Sequence, residues 1–445
     1  MKTRNSLSQF NNIGAWIEHW ADLHPEKVAF TFLEEDPLAL HSITYAELLQ
    51  RSQAISAALL TTAQPGDRVI LTYQPGLEFI VAFLGCVQAG LIAVPVYPPM
   101  SPKDWPRFVK IVINSDAQHI CTTQNLAQLS QAGIAMTPPL AGLNVIATDT
   151  LDHDKNEYLY CGATQDTVAF LQYTSGSTGN PKGVMLTHGN LYHNECLIKE
   201  ALQINVDSVA VCWLPQYHDM GLIGNILGVL FNGISSTLMS PITYLKQPYR
   251  WLKAISDYRA TISGGPNFAY ELCTKKIADE KLAELDLSSW AIAYNGAEPI
   301  RMSTLDKFSK KFAPCGFNRQ AFTPLYGLAE SSLLVTHHPY NTPIVTLKAD
   351  LDSLSKGKAT HAADHSAGKI LVSSGEVIDQ TLRIINPDTL SLCADNEVGE
   401  IWIQGASVSS GYWKNPEATE AAFNAFIDSS KEGPFLRTGD LGFLQ

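Results

Sequence analysis

The sequence lacks the cysteine and histidine spacings that build metal sites and disulfide frameworks. Its eight cysteines are scattered, none lies in a Cys-x-x-Cys pair, and no histidines cluster at zinc spacing. Scattered thiols are typical of a reducing compartment, so we expect free cysteines and a cytoplasmic protein.

A long uninterrupted apolar run is also missing. The most apolar stretch, residues 79–96, is broken by Gln88, by two glycines and by Pro95. It predicts a buried helix over 78–89 and a buried strand over 91–96 rather than a membrane span. The polar N-terminal residues contain no apolar signal-peptide core, so no stable membrane insertion is expected.

Positive charge is scarce. Lys and Arg number 31 against 43 Asp and Glu, which gives a formal net charge of −12 and a pI near 5.4. Phosphate backbones repel such a chain, which excludes a general nucleic-acid partner. Hydrophobic residues make up 45% of the chain, enough for a large core and too many for a disordered protein. At about 150 residues per folding unit, the length of 445 residues suggests roughly three units.

Short apolar strands alternate with helical patterns along most of the chain, for example at 117–121, 168–173 and 209–213. This alternation predicts an α/β fold with mostly parallel sheets that are covered on both faces. After about Pro343 short strands dominate, which predicts a smaller β-rich subdomain. The polar stretch 347–368 is typical of an insertion between the two parts.

The strongest local signal follows the predicted strand at 168–172. It is the run Tyr173-Thr174-Ser175-Gly176-Ser177-Thr178-Gly179-Asn180-Pro181-Lys182-Gly183-Val184. Hydroxyl groups and glycines offer donors and an open backbone to a polyphosphate, and Lys182 adds a point charge. Gly183 stands where a Walker A loop would have Ser or Thr, so the run predicts a phosphate loop of another kind.

This loop resembles the signature of the adenylate-forming superfamily, which includes acyl-CoA synthetases, peptide-synthetase adenylation domains, luciferases and fatty acyl-AMP ligases. Further segments match in the family's order: Asn295-Gly296-Ala297-Glu298-Pro299, Tyr326-Gly327-Leu328-Ala329-Glu330, Gly411-Tyr412-Trp413-Lys414-Asn415-Pro416-Glu417-Ala418-Thr419 and Arg437-Thr438-Gly439-Asp440. The resemblance implies the family's large N-terminal domain, with two α/β lobes (1–195 and 196–342) and a β-rich, distorted-barrel subdomain (343–445).

The resemblance also implies a binding site for ATP and Mg²⁺. Tyr326 would stack on adenine, Asp440 would bind the ribose hydroxyls, and Glu330 would hold Mg²⁺. Lys182, His218 and Glu330 are the implied catalytic residues. The implied ATP- and AMP-binding residues are Thr174, Ser175, Gly176, Ser177, Thr178, Gly179, Asn295, Gly296, Ala297, Glu298, Tyr326, Gly327 and Asp440.

Two segments point to one branch of the superfamily. Trp213-Leu214-Pro215-Gln216-Tyr217-His218-Asp219-Met220-Gly221-Leu222-Ile223-Gly224 and Ala93-Val94-Pro95-Val96-Tyr97-Pro98-Pro99 resemble blocks of fatty acyl-AMP ligases. Such enzymes convert a long-chain fatty acid to acyl-AMP and pass the acyl group to an acyl carrier protein of a polyketide or peptide synthetase, without transfer to CoA. The implied acyl pocket comprises His218, Met220, Ile223, Gly264, Gly265 and Phe268.

Features of this branch leave alternatives open. The stretch 347–368 lies where these ligases carry a segment that restrains their small C-terminal domain. The sequence ends at Gln445, so that domain and its lysine are expected to be absent and adenylation reduced. A long-chain acyl-CoA synthetase remains possible, and Asp219 keeps an amino-acid adenylation domain open. A catalytically weak nucleotide-binding module is the third alternative.

Overall fold

The computed structural model describes residues 12–35, 39–135, 137–152, 162–174, 180–363 and 368–445. The helices in this part of the chain are α1 (Ile13–Leu23), α2 (Tyr45–Leu59), α3 (Leu77–Gln88), α4 (Trp105–Ser115), α5 (Gln124–Ala135), α6 (His188–Ala201), α7 (Asp219–Gly221), α8 (Gly228–Asn232), α9 (Pro241–Lys246), α10 (Tyr249–Asp257), α11 (Asn267–Lys276), α12 (Met302–Phe312), α13 (Leu351–Ser355) and α14 (Pro416–Phe423). A π-helical segment, Leu222–Leu227, joins α7 to α8.

The strands in the described residues are β1 (Val28–Leu33), β2 (Leu40–Thr44), β3 (Arg68–Thr72), β4 (Ile92–Val96), β5 (His119–Thr122), β6 (Asn144–Ala147), β7 (Val168–Thr174), β8 (Lys182–Thr187), β9 (Val209–Cys212), β10 (Ser235–Met239), β11 (Ile262–Gly264), β12 (Ile292–Asn295), β13 (Phe322–Gly327), β14 (Leu334–His337), β15 (Thr346–Asp350), β16 (Gly368–Val372), β17 (Glu376–Val377), β18 (Thr381–Ile385), β19 (Gly399–Gln404) and β20 (Leu436–Gly442).

The chain forms two compact units. The first unit comprises the described residues of Met1–Glu195, Asn205–Thr243 and Tyr412–Asn415. The second unit comprises those of Cys196–Ile204, Tyr244–Gly411 and Pro416–Gln445. The finer three-part division, with boundaries near 195 and 342, stays a prediction.

The first unit is built on parallel strands, as the alternating pattern predicted. One sheet has the order β6-β5-β3-β4-β7-β8, parallel except for the antiparallel pair β7–β8. A second run has the order β9-β10-β1-β2. The predicted buried helix and strand at 78–96 are confirmed as α3 and β4, and every residue of β4 is buried because α/β packing covers both sheet faces.

Local sequence signals also set helix starts. Thr44 caps α2: its hydroxyl accepts from the Glu47 amide, and the Glu47 carboxylate accepts from the Thr44 amide. This reciprocal capping box satisfies two backbone donors that the first helical turn leaves without partners.

The second unit also contains parallel strands. Its larger sheet runs β17-β14-β13-β12-β11, in which β11, β12 and β13 are parallel and the remaining pairs are antiparallel. A cluster of buried aromatic rings packs beside it, with Tyr270, Trp290 and Phe308 making edge-on contacts. The α/β class predicted from the sequence is thus confirmed.

The predicted distorted barrel is not found in the described part of the chain. After residue 343 the strands form a two-stranded sheet, β15-β16, and a three-stranded sheet, β18-β19-β20, while β17 pairs with β14. A barrel needs one ladder of strands that closes on itself, and these short strands are divided among separate sheets. The predicted insertion overlaps β15 and α13, where Leu347, Ala349 and Ala359 form a small core of their own.

Two further structural findings concern the helices and the cysteines. No helix in the described ranges is long and apolar enough to cross a membrane. Each of the seven described cysteines is free, as the scattered spacing predicted.

Candidate active site

The predicted phosphate loop connects the two strands of an antiparallel hairpin in the first unit. In the β7–β8 ladder Thr174 lies directly opposite Lys182, so these two residues bracket the loop. The predicted contacts Ser175, Gly176, Ser177, Thr178 and Gly179 lie outside the described residues. Gly183 is required here, because a Cβ atom would lie 2.9 Å from the Tyr173 ring.

The Lys182 ammonium lies over the ring of Tyr412, 4.8 Å from its centroid. Tyr412 forms a β-bridge with Val184, and the Trp413 amide donates to the Gly183 carbonyl at 2.8 Å. A cation over a ring face is attracted by the ring's quadrupole. The block that begins at Gly411 was recognised in the sequence without a role, and the structure shows that its tyrosine contacts the predicted catalytic lysine.

His218 and Asp219 form an ion-pair contact close to β7. The two side chains meet at 2.6 Å between Nδ1 and Oδ1, while the Gln172 amide of β7 donates to the Tyr217 carbonyl at 3.0 Å. The hydrogen bond that His218 donates to Asp219 raises the pKa of His218 against the opposing effect of burial. The same Asp219 oxygen accepts from the Met220 amide at 2.7 Å, so the chain itself already engages this carboxylate.

The predicted acyl-pocket residues fall in both units. In the first unit, Met220 is half-buried on α7 and Ile223 is fully buried in the π-helical segment. In the second unit, Gly265 is buried after β11, and Phe268 on α11 is 40% exposed. Whether these residues bind an acyl chain stays a prediction.

Gly264 has a packing role that differs from the expected one. We expected its missing side chain to leave room for an acyl chain. A Cβ atom at this position would instead lie 2.1 Å from the Tyr294 carbonyl oxygen, so the neighbouring strand β12 fills the space. Close strand packing therefore explains this glycine.

Several predicted nucleotide contacts lie at the end of β12. Asn295 is fully buried, and both polar atoms of its amide lack a hydrogen-bond partner among the described residues. After Gly296, Ala297 adopts a left-handed conformation with φ of 65°, and the Glu298 carboxylate accepts from the Phe268 amide at 2.6 Å. A buried amide without a partner costs free energy unless a ligand binds it, so Asn295 fits a binding position.

The structure brings the predicted adenine and ribose contacts together. The Tyr326 hydroxyl on β13 donates to Asp440 on β20 at 2.8 Å. Burial, and then the Asp440 charge, raise the pKa of Tyr326, so its hydroxyl stays protonated and can donate. Gly327 allows the strand irregularity that follows, since a Cβ atom there would lie 1.7 Å from the Leu333 carbonyl oxygen. Glu330 follows on a short 3₁₀ turn, Ala329–Ser331, and is half-buried.

Sequence reasoning missed Glu400, which holds the Arg437–Asp440 motif in place. Its carboxylate is buried and accepts from Arg437 Nε and Nη2 at 3.0 and 2.8 Å, from the Trp402 indole at 3.0 Å and from the Gly439 amide at 3.1 Å. An acid inside the otherwise apolar strand pattern of β19 was the available signal.

Comparison with known proteins places this geometry in a family. The family described as "AMP-binding enzyme" matches residues 17–413. The chain is 39% identical to the medium-chain-fatty-acid–[acyl-carrier-protein] ligase JamA of Moorena producens, covering 99% of this chain and 76% of that protein. The chain belongs to the fatty acyl-AMP ligases of the AMP-binding enzyme family.

Other fatty acyl-AMP ligases show similar likeness. The long-chain-fatty-acid–AMP ligase FadD26 of Mycobacterium marinum is 36% identical over 97% of this chain and 76% of its own length. The solved structure of a fatty acyl-adenylate ligase from L. pneumophila, in complex with acyl adenylate and pyrophosphate, is 41% identical with a TM-score of 0.93. That match covers 99% of this chain and 77% of the L. pneumophila chain. The adenylate-forming fold predicted from the motifs is thereby confirmed for this ligase.

Proposed function

We propose that this ligase activates a fatty acid with ATP to give acyl-AMP and pyrophosphate, and that it then passes the acyl group to an acyl carrier protein. The observation that carries the proposal is the close likeness, over nearly the whole chain, to an L. pneumophila ligase solved with acyl adenylate and pyrophosphate. The contact between Tyr326 and Asp440 supports it, because two residues proposed to bind one nucleoside lie at hydrogen-bonding distance.

The proposed reaction is an in-line attack by the fatty-acid carboxylate on the α-phosphorus of ATP. A bond forms between a carboxylate oxygen and the α-phosphorus, while the bond from the α-phosphorus to the pyrophosphate oxygen breaks. The carboxylate is already an anion at neutral pH, so the step needs no general base. Catalysis then consists of positioning and charge neutralisation. Lys182 would neutralise phosphate charge, while Asp440 would orient the ribose.

The carboxylate of Glu330 suits a magnesium ion whose other ligands come from the substrate phosphates and water. Mg²⁺ favours one or two carboxylates plus phosphate oxygens and water over a full protein cage. The described residues contain no group of three or more His, Cys, Asp or Glu side chains that could enclose a metal. When bound, Mg²⁺ would supply positive charge to the transferring phosphoryl group.

A pyrophosphate-release assay with a panel of saturated fatty acids tests the proposal. We expect release that depends on both ATP and fatty acid, and no acyl-CoA when CoA is added. Abundant acyl-CoA would favour the acyl-CoA synthetase alternative, while ATP binding without any pyrophosphate release would favour a noncatalytic module. Transfer to a phosphopantetheinylated carrier protein, followed by mass spectrometry, tests the second step.

The metal assignment makes a separate prediction. Replacing Glu330 with Gln removes the charge and keeps the shape, so the Mg²⁺ concentration needed for half-maximal pyrophosphate release should rise at least tenfold. Glu280→Gln, at an exposed acid of the second unit, is the matched control and should leave the titration unchanged. Identical magnesium titrations for the Glu330 variant and the parent chain would show that Glu330 does not hold the metal.

The acyl group itself is the least defined part of the proposal. The relatives act on medium-chain and long-chain fatty acids, by their names, so the chain length preferred here is left to the substrate panel. An amino-acid substrate is disfavoured, because Asp219 already accepts hydrogen bonds from His218 and from the Met220 amide.

A further inference from the structure

Ser332 has a backbone conformation that residues other than glycine rarely adopt. It directly follows the 3₁₀ turn that carries Glu330, with φ of 62° and ψ of −70°. The Leu333 amide donates to the Ser331 carbonyl at 2.8 Å, which closes a three-residue γ-turn around Ser332. A γ-turn of this hand is strained, and strained residues are concentrated at active sites, where the surrounding structure holds them in place.

The γ-turn completes the short connection between β13 and β14, which pair in the antiparallel direction. The Leu328 amide donates to the Leu333 carbonyl at 3.0 Å at the base of this connection. Tyr326, the proposed adenine contact, lies on β13 just before it. The path of these few residues therefore sets where Glu330 stands relative to the proposed nucleotide contacts.

The segment that follows β19 holds this connection at two points. The Ser332 hydroxyl donates to the Ser407 carbonyl at 2.7 Å, and the Ser409 amide donates to the Glu330 carbonyl at 2.8 Å. Ser332 and Ser407 are both completely inaccessible to solvent. Because water does not compete for a buried hydrogen bond, the bond between them is a firm restraint on the turn.

The choice of serine at position 332 has a cost for the fold. Glycine would adopt the same positive φ without strain, but it has no hydroxyl to bond with Ser407. Mg²⁺ demands nearly ideal octahedral geometry, so a carboxylate that binds it must be held in a narrow range of positions. Groups that orient a metal ligand commonly change metal affinity by about 10–100-fold when they are replaced.

We propose that Ser332 is a positioning residue for the magnesium site, and that its strained turn and its bond to Ser407 fix the backbone that carries Glu330. The proposal rests on the proposed function, in which Glu330 holds Mg²⁺, and deepens it. Ser332 touches neither the metal nor the substrate. It acts through the position of the Glu330 carboxylate.

The test measures binding of α,β-methylene-ATP, an analogue that cannot release pyrophosphate. Calorimetric titrations in Mg²⁺ and in EDTA give two dissociation constants, and their ratio is the metal-dependent gain in affinity. Ser332→Ala and Ser332→Gly should each lower this gain about tenfold. The matched control is Ser289→Ala, which removes another hydroxyl of the second unit that donates to a carbonyl, that of Ala260 at 3.1 Å. It should leave the gain unchanged.

Urea denaturation of the same variants separates positioning from a loss of folding. Glycine adopts a positive φ without strain, so Ser332→Gly should unfold at a higher urea concentration than Ser332→Ala. A purely structural role would make the metal-dependent gain follow that order, with the glycine variant closer to the parent chain. Positioning predicts a gain in the glycine variant no larger than in the alanine variant, because glycine also frees the backbone beside Glu330.

The outcomes separate the two proposals. Pyrophosphate release by the parent chain, together with an unchanged gain in both Ser332 variants or a gain that follows the stability order, would overturn the role of Ser332 and leave acyl-AMP formation standing. A parent chain without any metal-dependent gain would remove Glu330 from the metal site and this proposal with it. If the parent chain neither binds the analogue nor releases pyrophosphate with any fatty acid, both proposals fall.

Discussion

Two buried glutamates, one in each unit, have opposite surroundings. Glu195 on α6 faces an apolar helix and lacks a hydrogen-bond partner among the described residues. Glu400 on β19 accepts hydrogen bonds from the Arg437 guanidinium, an indole and a backbone amide. Burial alone therefore does not define the role of an acid. The acid with partners organises a motif, while the acid without them among the described residues adds a cost of burial.

The two elements differ because of what lies beside them. A strand interrupted by an irregularity, as β19 is between Glu400 and Trp402, receives donors from the neighbouring strand β20. The interior of a helix offers few backbone donors to its neighbours, because its amides are already paired, and donors remain only at helix starts. His188, at the start of α6, is also buried, but its Nδ1 accepts from such a donor, the Ile13 amide at the start of α1, at 3.2 Å.

The largest expected effect is the loss of stability when Glu400 is replaced. Glu400→Leu removes the acceptor of every one of these bonds and leaves Arg437 without its ion-pair partner, so the free energy of unfolding should fall by about 3–5 kcal/mol. Urea denaturation measures it.

The matched control is Glu432→Leu, which breaks the half-exposed pair with Arg383 and should change stability by about 1 kcal/mol or less. Equal losses in the two variants would show that burial adds nothing to the Glu400 pair.

The second effect is a pH dependence of stability that arises from His188 on α6. Burial lowers the pKa of His188 to about 4, from an ordinary value near 6.5, so the unfolded chain binds a proton more tightly than the folded chain. Stability from this group is intact above pH 6.5 and falls by about 3 kcal/mol as the pH drops to 4.

Urea denaturation at pH 7, 5.5 and 4.5 checks the His188 prediction. His188→Asn keeps an acceptor for the Ile13 amide without titrating, so the stability difference between parent and variant should shift with pH in this window. A difference that stays constant with pH would contradict the assignment.

The third effect is a gain in stability in Glu195→Leu, opposite in sign to the loss expected in Glu400→Leu. Burial raises the pKa of Glu195, so the folded chain must keep this group protonated. Doing so costs no free energy below pH 4.5, where the unfolded chain is protonated too, and costs more as the pH rises above 4.5. Glu195→Leu should therefore stabilise the chain by about 1–3 kcal/mol at pH 7 and by less at pH 4.5. A stability loss at pH 7 in urea denaturation would mean that the carboxyl has an internal partner.

The smallest expected effect concerns Lys182, a cation that contacts an aromatic ring. Lys182 lies over the Tyr412 ring instead of against a carboxylate. Tyr412→Leu should raise the KM for ATP about two- to fivefold with little change in kcat, since a cation–π contact contributes about 0.5–1 kcal/mol. Tyr412→Phe keeps the ring and should restore the parent KM in steady-state kinetics. Equal effects of both variants would assign the tyrosine to packing alone.

Much of the fold and the general character of the site could be predicted from local pattern. The capping signal at Thr44 and the apolar run over 78–96 report local propensities, and the structure has the corresponding helix starts and strands. The distorted barrel, which the family resemblance implied, is not found in the described residues, because the late strands pair in separate sheets. The purpose of Gly264 was misread for a similar reason: its neighbour Tyr294 lies on another strand.

The sequence alone determined the α/β class, the order of the nucleotide-binding motifs and the family, because these depend on residue type and spacing along the chain. Only the tertiary structure decided that Tyr326 meets Asp440 across 114 positions, that Lys182 lies over the ring of Tyr412, and that Glu195 is buried without a hydrogen-bond partner among the described residues. Such contacts depend on sheet register and helix packing, which bring distant segments together, and no local pattern encodes them.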